Sequence, residues 1–159
     1  MKQCVIFDMD GVIIDSEPFH KACEKKIFRM LGISVSDEEH HSYVGTTHET
    51  MWSQIDFILK GLDIKHLVHS IISGEDVDKG KPYPEIFLKV AGMAGINPGS
   101  CLVIEDSFNG VTAAKNAKMK CIGYINPNSG DQELSKADMV VHSLEKISVR
   151  LIRNLLNNC

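Results

Sequence analysis

The 159-residue sequence has no long apolar run; its hydrophobic stretches last only a few residues, far short of the roughly 20 that cross a bilayer. A membrane-spanning helix is excluded. It also lacks a clustered excess of cations, with 17 Lys and Arg against 21 Asp and Glu for a net charge of -4. Nucleic acid is therefore not an expected partner, because neutralising phosphates takes the opposite balance. No two of the five cysteines (Cys4, Cys23, Cys101, Cys121, Cys159) form a C-x-x-C pair. Cys4, Cys101 and Cys121 each open an apolar run, where a reduced cysteine acts as a small core residue; a disulfide framework or zinc site is disfavoured. The opening segment Met1 to Phe7 meets Asp8 before it could build the apolar stretch of a secretory signal, so a cytoplasmic location is expected. No internal repeat and no low-complexity segment is present.

What is there reads as one soluble globular domain with at most a small appendage, at 43% hydrophobic and 24% charged residues. A chain of this length buries roughly 70% of its unfolded surface, enough for a core without staples. Short apolar runs alternate with helical patterns, the signature of an α/β domain on a parallel sheet. The runs are Cys4 to Phe7, Ser70 to Ser73, Cys101 to Ile104 and Cys121 to Ile125, with Met139 to Val141 a weaker fifth. Each is apolar at successive positions, as expected of strands covered on both faces. Helices are predicted over Pro84 to Met93, with proline in the first turn and glycine near the end, and over Asn109 to Met119. From Ser16 to about Leu62 the chain turns helical and more polar, with His20, Ile27, Phe28, Met30 and Leu31 at helical spacing. This stretch is expected to be a helical insertion after the first strand.

Ligands of open parallel sheets bind at the carboxyl ends of the strands. The first run ends in Asp8-Met9-Asp10-Gly11 and a later one in Glu105-Asp106. If these strands are neighbours, their carboxylates converge, and the usual remedy for such repulsion is a divalent cation with hard oxygen ligands, Mg²⁺ above all. Asp8 at the strand tip is placed for nucleophilic attack on a phosphoryl group. Asp10, two residues on and on the same side of an extended chain, is placed to move a proton. Lys81 in Gly80-Lys81-Pro82, after another predicted strand, would neutralise charge on an aspartyl phosphate. Acids after strands are often plain helix caps or solvated loop residues. Three such sites in order reverse that preference.

DMDG at 8 to 11, GEDVDKGKPYPEIF at 74 to 87 and VIEDSFNG at 103 to 110 resemble the first, third and fourth motifs of the haloacid dehalogenase superfamily. The branch they are most similar to holds β-phosphoglucomutase and sugar phosphatases. The resemblance implies a Rossmann-like core (1–15 and 62–159) with a reduced helical cap (16–61), Mg²⁺ as cofactor, and a small phosphorylated metabolite such as a sugar phosphate as substrate. It implies transfer through a phospho-aspartate, with Asp8 as nucleophile, Asp10 as general acid/base and Lys81 as charge partner. Asp8, Asp10, Asp106 and Glu105 would hold the metal, and Gly11, Ser16, His20, Thr47, Ser107 and Asn109 would face the substrate.

One family feature is missing from the sequence: the second motif, a strand ending in a phosphate-binding Ser or Thr. Met51-Trp52-Ser53-Gln54 resembles the middle of the cap, whereas Asp56 to Leu62 resembles the core helix after that motif, so the chain appears joined near Ile55. A strand with its crossover takes roughly 30 residues. Ser73, or Thr46 and Thr47, are the hydroxyls that could substitute. His48 stands where β-phosphoglucomutase carries an arginine, which favours a phosphatase over a mutase. The histidines His40, His41, His66 and His69 are read as solvated, since no third ligand stands at metal spacing. The alternative function is a catalytically impaired binding or interaction protein. Loss of a central strand also predicts exposed edges, and with them a homodimer or a swapped element.

Overall fold

The computed structural model describes the backbone of residues 2–16 and 48–157. The chain divides into two compact units, Met1–Pro18 with Ser70–Cys159, and Phe19–His69.

The larger unit is built on a four-stranded sheet, β1 (Cys4–Phe7), β2 (Cys101–Glu105), β3 (Lys120–Tyr124) and β4 (Met139–Val141), in that spatial order. Every pairing is parallel. This is the α/β, Rossmann-like architecture that the alternating runs imply. β2 is buried along its whole length, and its alternating side chains divide between two cores. Cys101 and Val103 pack with Phe87, Val111, Ala114 and Met119 on one face. Leu102 and Ile104 pack with Ile122, Val141 and Leu156 on the other. A strand buried on both faces has no polar side to show, which is why its sequence runs apolar without a break.

Helices supply both covers. α2 (Glu85–Ala94) starts behind Pro84 and stops at Gly95, whose φ of 64° is a left-handed cap closed by its N–H on the carbonyls of Ala91 and Gly92. α3 (Phe108–Asn116) is capped by Ser107, whose Oγ accepts from the Gly110 N–H at 3.0 Å. α4 (Val149–Asn157) lays Leu151, Ile152, Leu155 and Leu156 on the second core. Those residues repeat at helical spacing, yet the sequence reading placed no element there.

One predicted strand is absent. Ser70–Ser73 forms no ladder; it runs as coil into a 3-10 helix, Gly74–Asp76. The Ser73 Oγ accepts from the Glu75 N–H at 3.2 Å, and the Ser73 N–H donates to Asp76 Oδ2 at 2.8 Å. Apolar residues alone do not make a strand; its N–H and C=O groups need a neighbouring strand, and this segment has none. Lys81 accordingly follows a capped turn and not a strand end.

In the smaller unit, α1 (His48–Gly61) is one uninterrupted helix, followed by a 3-10 turn at Lys65–Leu67. The Asp56 carboxylate pairs with Lys60 at 2.6 Å and also with Lys65. Ile55, near which the sequence reading expects a junction, lies inside α1. Among the described residues no helix is long and apolar enough to cross a membrane.

Candidate active site

The register builds the site. Cys4 pairs with Cys101 and Phe7 with Ile104, and the Asp8 N–H donates to the Ile104 carbonyl at 3.0 Å. Asp8 therefore stands beside the end of β2, where Glu105 and Asp106 follow. Oxygen atoms of Asp8, Glu105 and Asp106 all lie within 4.8 Å of one another. Glu105 is fully buried, and Asp106 is 4% exposed.

Buried carboxylates at this spacing need positive charge, and Lys81 supplies it. Its Nζ donates to Asp8 Oδ1 at 2.6 Å and to Glu105 Oε1 at 2.5 Å. The approach of Lys81 is fixed from behind: the two carboxylate oxygens of Glu85 accept from the N–H groups of Asp78 and Lys79, each at 3.0 Å. Asn116 Nδ2 donates to the Pro82 carbonyl at 3.1 Å. The Lys81–Pro82 peptide is cis. The ammonium also lies 5.5 Å from the centre of the Phe87 ring.

Two glycines make room for the acids. A Cβ at Gly11, where φ is 84°, would overlap Asp106 Oδ2, and a Cβ at Gly110 would overlap the Glu105 carboxylate. Glu105 is held at both oxygens, since Oε2 accepts from the N–H and the hydroxyl of Ser107, each at 2.9 Å.

Burial pushes the Asp8 carboxyl up to about 6, with Lys81 opposing and Glu105 and Asp106 adding to the rise. Asp106 is raised as well, first by burial and then by Glu105, against the hydrogen bond from Ser129. Burial alone would lower Lys81, but the charges of Asp8 and Glu105 outweigh it and hold the ammonium above its usual range. The site without a cation thus carries more negative charge than one lysine balances.

Of the residues singled out from sequence, Asp8, Lys81, Glu105 and Asp106 come together here. Asp10 does not join their carboxylates: the chain turns at Met9 instead of staying extended, with N–H groups of Val12, Ile13 and Ile14 on the Met9 carbonyl. Asp10 is exposed, and its Oδ1 accepts from Ser16 Oγ at 2.6 Å. Gly11 and Ser107 pack against the cluster as described, and Asn109 is exposed in the first turn of α3. His20 and Thr47 lie outside the described residues, as does Thr46. Of the cysteines, Cys101 and Cys121 are buried free thiols and Cys4 is half-buried; Cys23 and Cys159 lie outside the described residues.

Sequence reasoning missed the loop after β3. Asn126, 4% exposed, donates from Nδ2 to the Gly11 carbonyl at 3.0 Å. Ser129 Oγ donates to Asp106 Oδ2 at 2.5 Å. The cluster Asn126-Pro127-Asn128-Ser129-Gly130 sits at the carboxyl end of a strand, the same place that drew attention to the acids. Only charged residues had been sought there.

At the ends of this parallel sheet three carboxylates gather, those of Glu105 and Asp106 buried, with one lysine on Asp8 and Glu105. Models of haloacid dehalogenase-like hydrolases match residues 5–60 and 46–118. The chain belongs to the haloacid dehalogenase superfamily. Beta-phosphoglucomutase of Bacillus subtilis is 35% identical over 95 residues, 60% of this chain and 40% of that protein. Hexitol phosphatase B of Escherichia coli is 22% identical over 208 residues, 91% of this chain and 94% of that one. The crystal structure of beta-phosphoglucomutase from Clostridium difficile superposes with a TM-score of 0.75 at 21% identity, covering 99% of this chain and 98% of the other. An alignment 208 positions long fits a 159-residue chain only with a long gap in it. Relatives at 30% identity or more are spanned over about half their length or less, 52% in one Bacillus subtilis protein and 40% in the other.

Proposed function

We propose that this chain transfers a phosphoryl group from a small phosphorylated metabolite, such as a sugar phosphate, to Asp8 and then to water. The observation that carries this reading is the meeting of Asp8, Glu105 and Asp106 within 4.8 Å at the strand ends, with Lys81 bridging Asp8 and Glu105. The kinship with phosphatases and phosphomutases agrees with it.

The donor set suits Mg²⁺. All three side chains offer hard oxygens, the burial of Glu105 and Asp106 makes an uncompensated charge costly, and the Gly11 position leaves the space that Asp106 fills. Asp8 and Asp106 would hold the ion, with Glu105 beside them and Asp10 completing the set through its backbone carbonyl. When bound, the ion neutralises phosphoryl oxygens and helps orient the group for attack.

The chain's own residues supply the rest. An Asp8 carboxylate oxygen attacks phosphorus, the bond from phosphorus to the ester oxygen breaks, and Asp10 gives that leaving oxygen its proton. Water then attacks the phosphorus of the aspartyl phosphate, Asp10 takes a water proton, and the bond from Asp8 to phosphorus breaks to release phosphate. Lys81 stabilises the negative charge that builds on Asp8 and the phosphoryl group. The turn at Met9 leaves Asp10 exposed toward solvent and tied to Ser16, which suits a residue that must exchange protons.

A second reading is favoured by Ser73. Its hydroxyl already caps the 3-10 helix, and its segment is no strand, which argues against its standing in for the second motif. An impaired catalyst that still holds the ion and the phosphoryl group would follow. The test is phosphate release from an aryl phosphate with Mg²⁺: the parent is expected to turn over and Asp8→Asn to lose at least about 100-fold. Equal rates would overturn the assignment of Asp8.

A further inference from the structure

We propose that the loop Asn126 to Gln132 is a positioning clamp for the cation site, with Ser129 as the positioning residue that sets the metal affinity of Asp106. The inference rests on the reading of Asp8 and Asp106 as cation ligands and goes beyond it, since the family motifs noted above include no residue of this loop.

The loop reaches two of the stretches that carry the site, the turn after Asp8 and the segment from Asp106 to Phe108. Asn126, buried, donates to the carbonyl of Gly11 in the turn after Asp8. Asn128 Nδ2 donates to Asp15 Oδ2 at 2.6 Å, further along the same segment. Ser129 donates to Asp106 Oδ2. Gln132 accepts from the Phe108 N–H at 3.0 Å, at the start of α3 directly after Asp106 and Ser107, and donates to the Ser129 carbonyl at 3.0 Å. The Asn126 Oδ1 accepts from the Asn128 N–H at 2.8 Å and closes the turn.

A cavity of about 100 Å³ adjoins the loop, its lining including Asp106, Asn126, Asp131 and Gln132. Of the loop's contacts, that of Ser129 falls on a carboxylate of the cluster. Asp106 Oδ2 is the oxygen that the missing Cβ of Gly11 admits, and it is the oxygen that Ser129 holds. A carboxylate pinned at one oxygen by a neutral donor keeps its negative charge and has its other oxygen oriented for a cation. A hydroxyl suits this task, since a lysine there would compete with the ion.

Outer partners of metal ligands typically change metal affinity 10–100-fold when removed. The experiment is a Mg²⁺ titration of thermal unfolding, with no substrate, on the parent, Ser129→Ala and Ser129→Thr. The expected result is a Mg²⁺ dissociation constant raised about 10-fold or more in Ser129→Ala and restored in Ser129→Thr, with metal-free Tm values close together. Should Ser129→Ala fail to fold by circular dichroism, Ser129→Cys, with its weaker donor, carries the same comparison. A parent that binds Mg²⁺ and a Ser129→Ala that binds it equally well overturn the clamp and leave the site intact. A parent whose Tm does not respond to Mg²⁺ overturns both the clamp and the cation reading.

Discussion

Asp8 sits where its charge is hardest to keep. Burial and two neighbouring acids lift its carboxyl to about 6 although Lys81 donates to it at 2.6 Å. A carboxyl raised on folding binds more protons in the native state than in the unfolded one. Its contribution is fully favourable below the ordinary value of 3.8 and is lost as pH rises through about 6. In metal-free buffer above that pH, Asp8→Asn is therefore expected to be more stable than the parent, on the order of 1 to 2 kcal/mol. The gap should close near pH 4, because a protonated aspartate and an asparagine then carry the same charge. Thermal unfolding across this range reads it directly, and a variant less stable than the parent at neutral pH would refute the assignment. Such a residue would give up stability for function.

At this scale much of the site was legible. Acids at the tips of apolar runs are visible as text, and Lys81 is marked by its Gly-Lys-Pro context. The turn at Met9 was not visible, because it depends on backbone hydrogen bonds to the Met9 carbonyl, and the alternation of an extended chain had put Asp10 beside Asp8. Ser129 and Asn126 were hidden for another reason. Neutral loop residues gain meaning only once the register of the sheet has brought Asp106 and Gly11 beneath them.

Asp138 stands just before β4, and its Oδ2 accepts from the Cys121 N–H in β3 at 2.9 Å and from Lys115 Nζ of α3 at 2.5 Å. Lys120 is 3.4 Å from its Oδ1. Burial works against the charge of Asp138, but these donors outweigh it and hold the carboxyl below its ordinary value. A depressed carboxyl contributes stability that is present above the unfolded value, near 3.9, and is lost as pH falls through the folded one. Asp138→Asn should cost on the order of 1 kcal/mol at neutral pH in urea unfolding. The difference should shrink steadily as pH falls below about 4. A cost that did not vary with pH would mean that shape and not charge holds this corner.

Four of the five apolar runs proved to be strands, the edge runs Cys4–Phe7 and Met139–Val141 as well as the inner Cys101–Glu105 and Lys120–Tyr124. Ser70–Ser73 has the composition of a strand without a partner, and pairing cannot be read from composition. α4 was legible and went unread: Leu151, Ile152, Leu155 and Leu156 mark one helical face.

For the whole molecule, the two family matches overlap in residues 46–60, most of which lie in α1. The sequence character changes at Ile55, and the helix does not. Joining two helical segments in register costs a chain little, because helix propagation requires only local hydrogen bonds. The sheet is affected more. Among the described residues β1 has β2 as its one ladder partner, and Phe7 at its end is 52% exposed. An open parallel edge invites pairing. Self-association that grows with concentration is expected in sedimentation, and a clean monomer at high concentration would show the edge to be covered within the chain.

The central claim is that these strand ends still form a cation-assisted phosphoryl site around Asp8. Fluoroberyllate, which mimics a phosphoryl group on an aspartate, tests it most directly by thermal unfolding with Mg²⁺ alone, then with both, in the parent and in Asp8→Asn. A ligand at about 100 times its dissociation constant stabilises by roughly 2.7 kcal/mol, which for a domain of this size raises Tm by about 5 to 11 °C. The account predicts that shift with both ligands in the parent and its loss in Asp8→Asn; an unmoved Tm in the parent, or an equal shift in the variant, would contradict it.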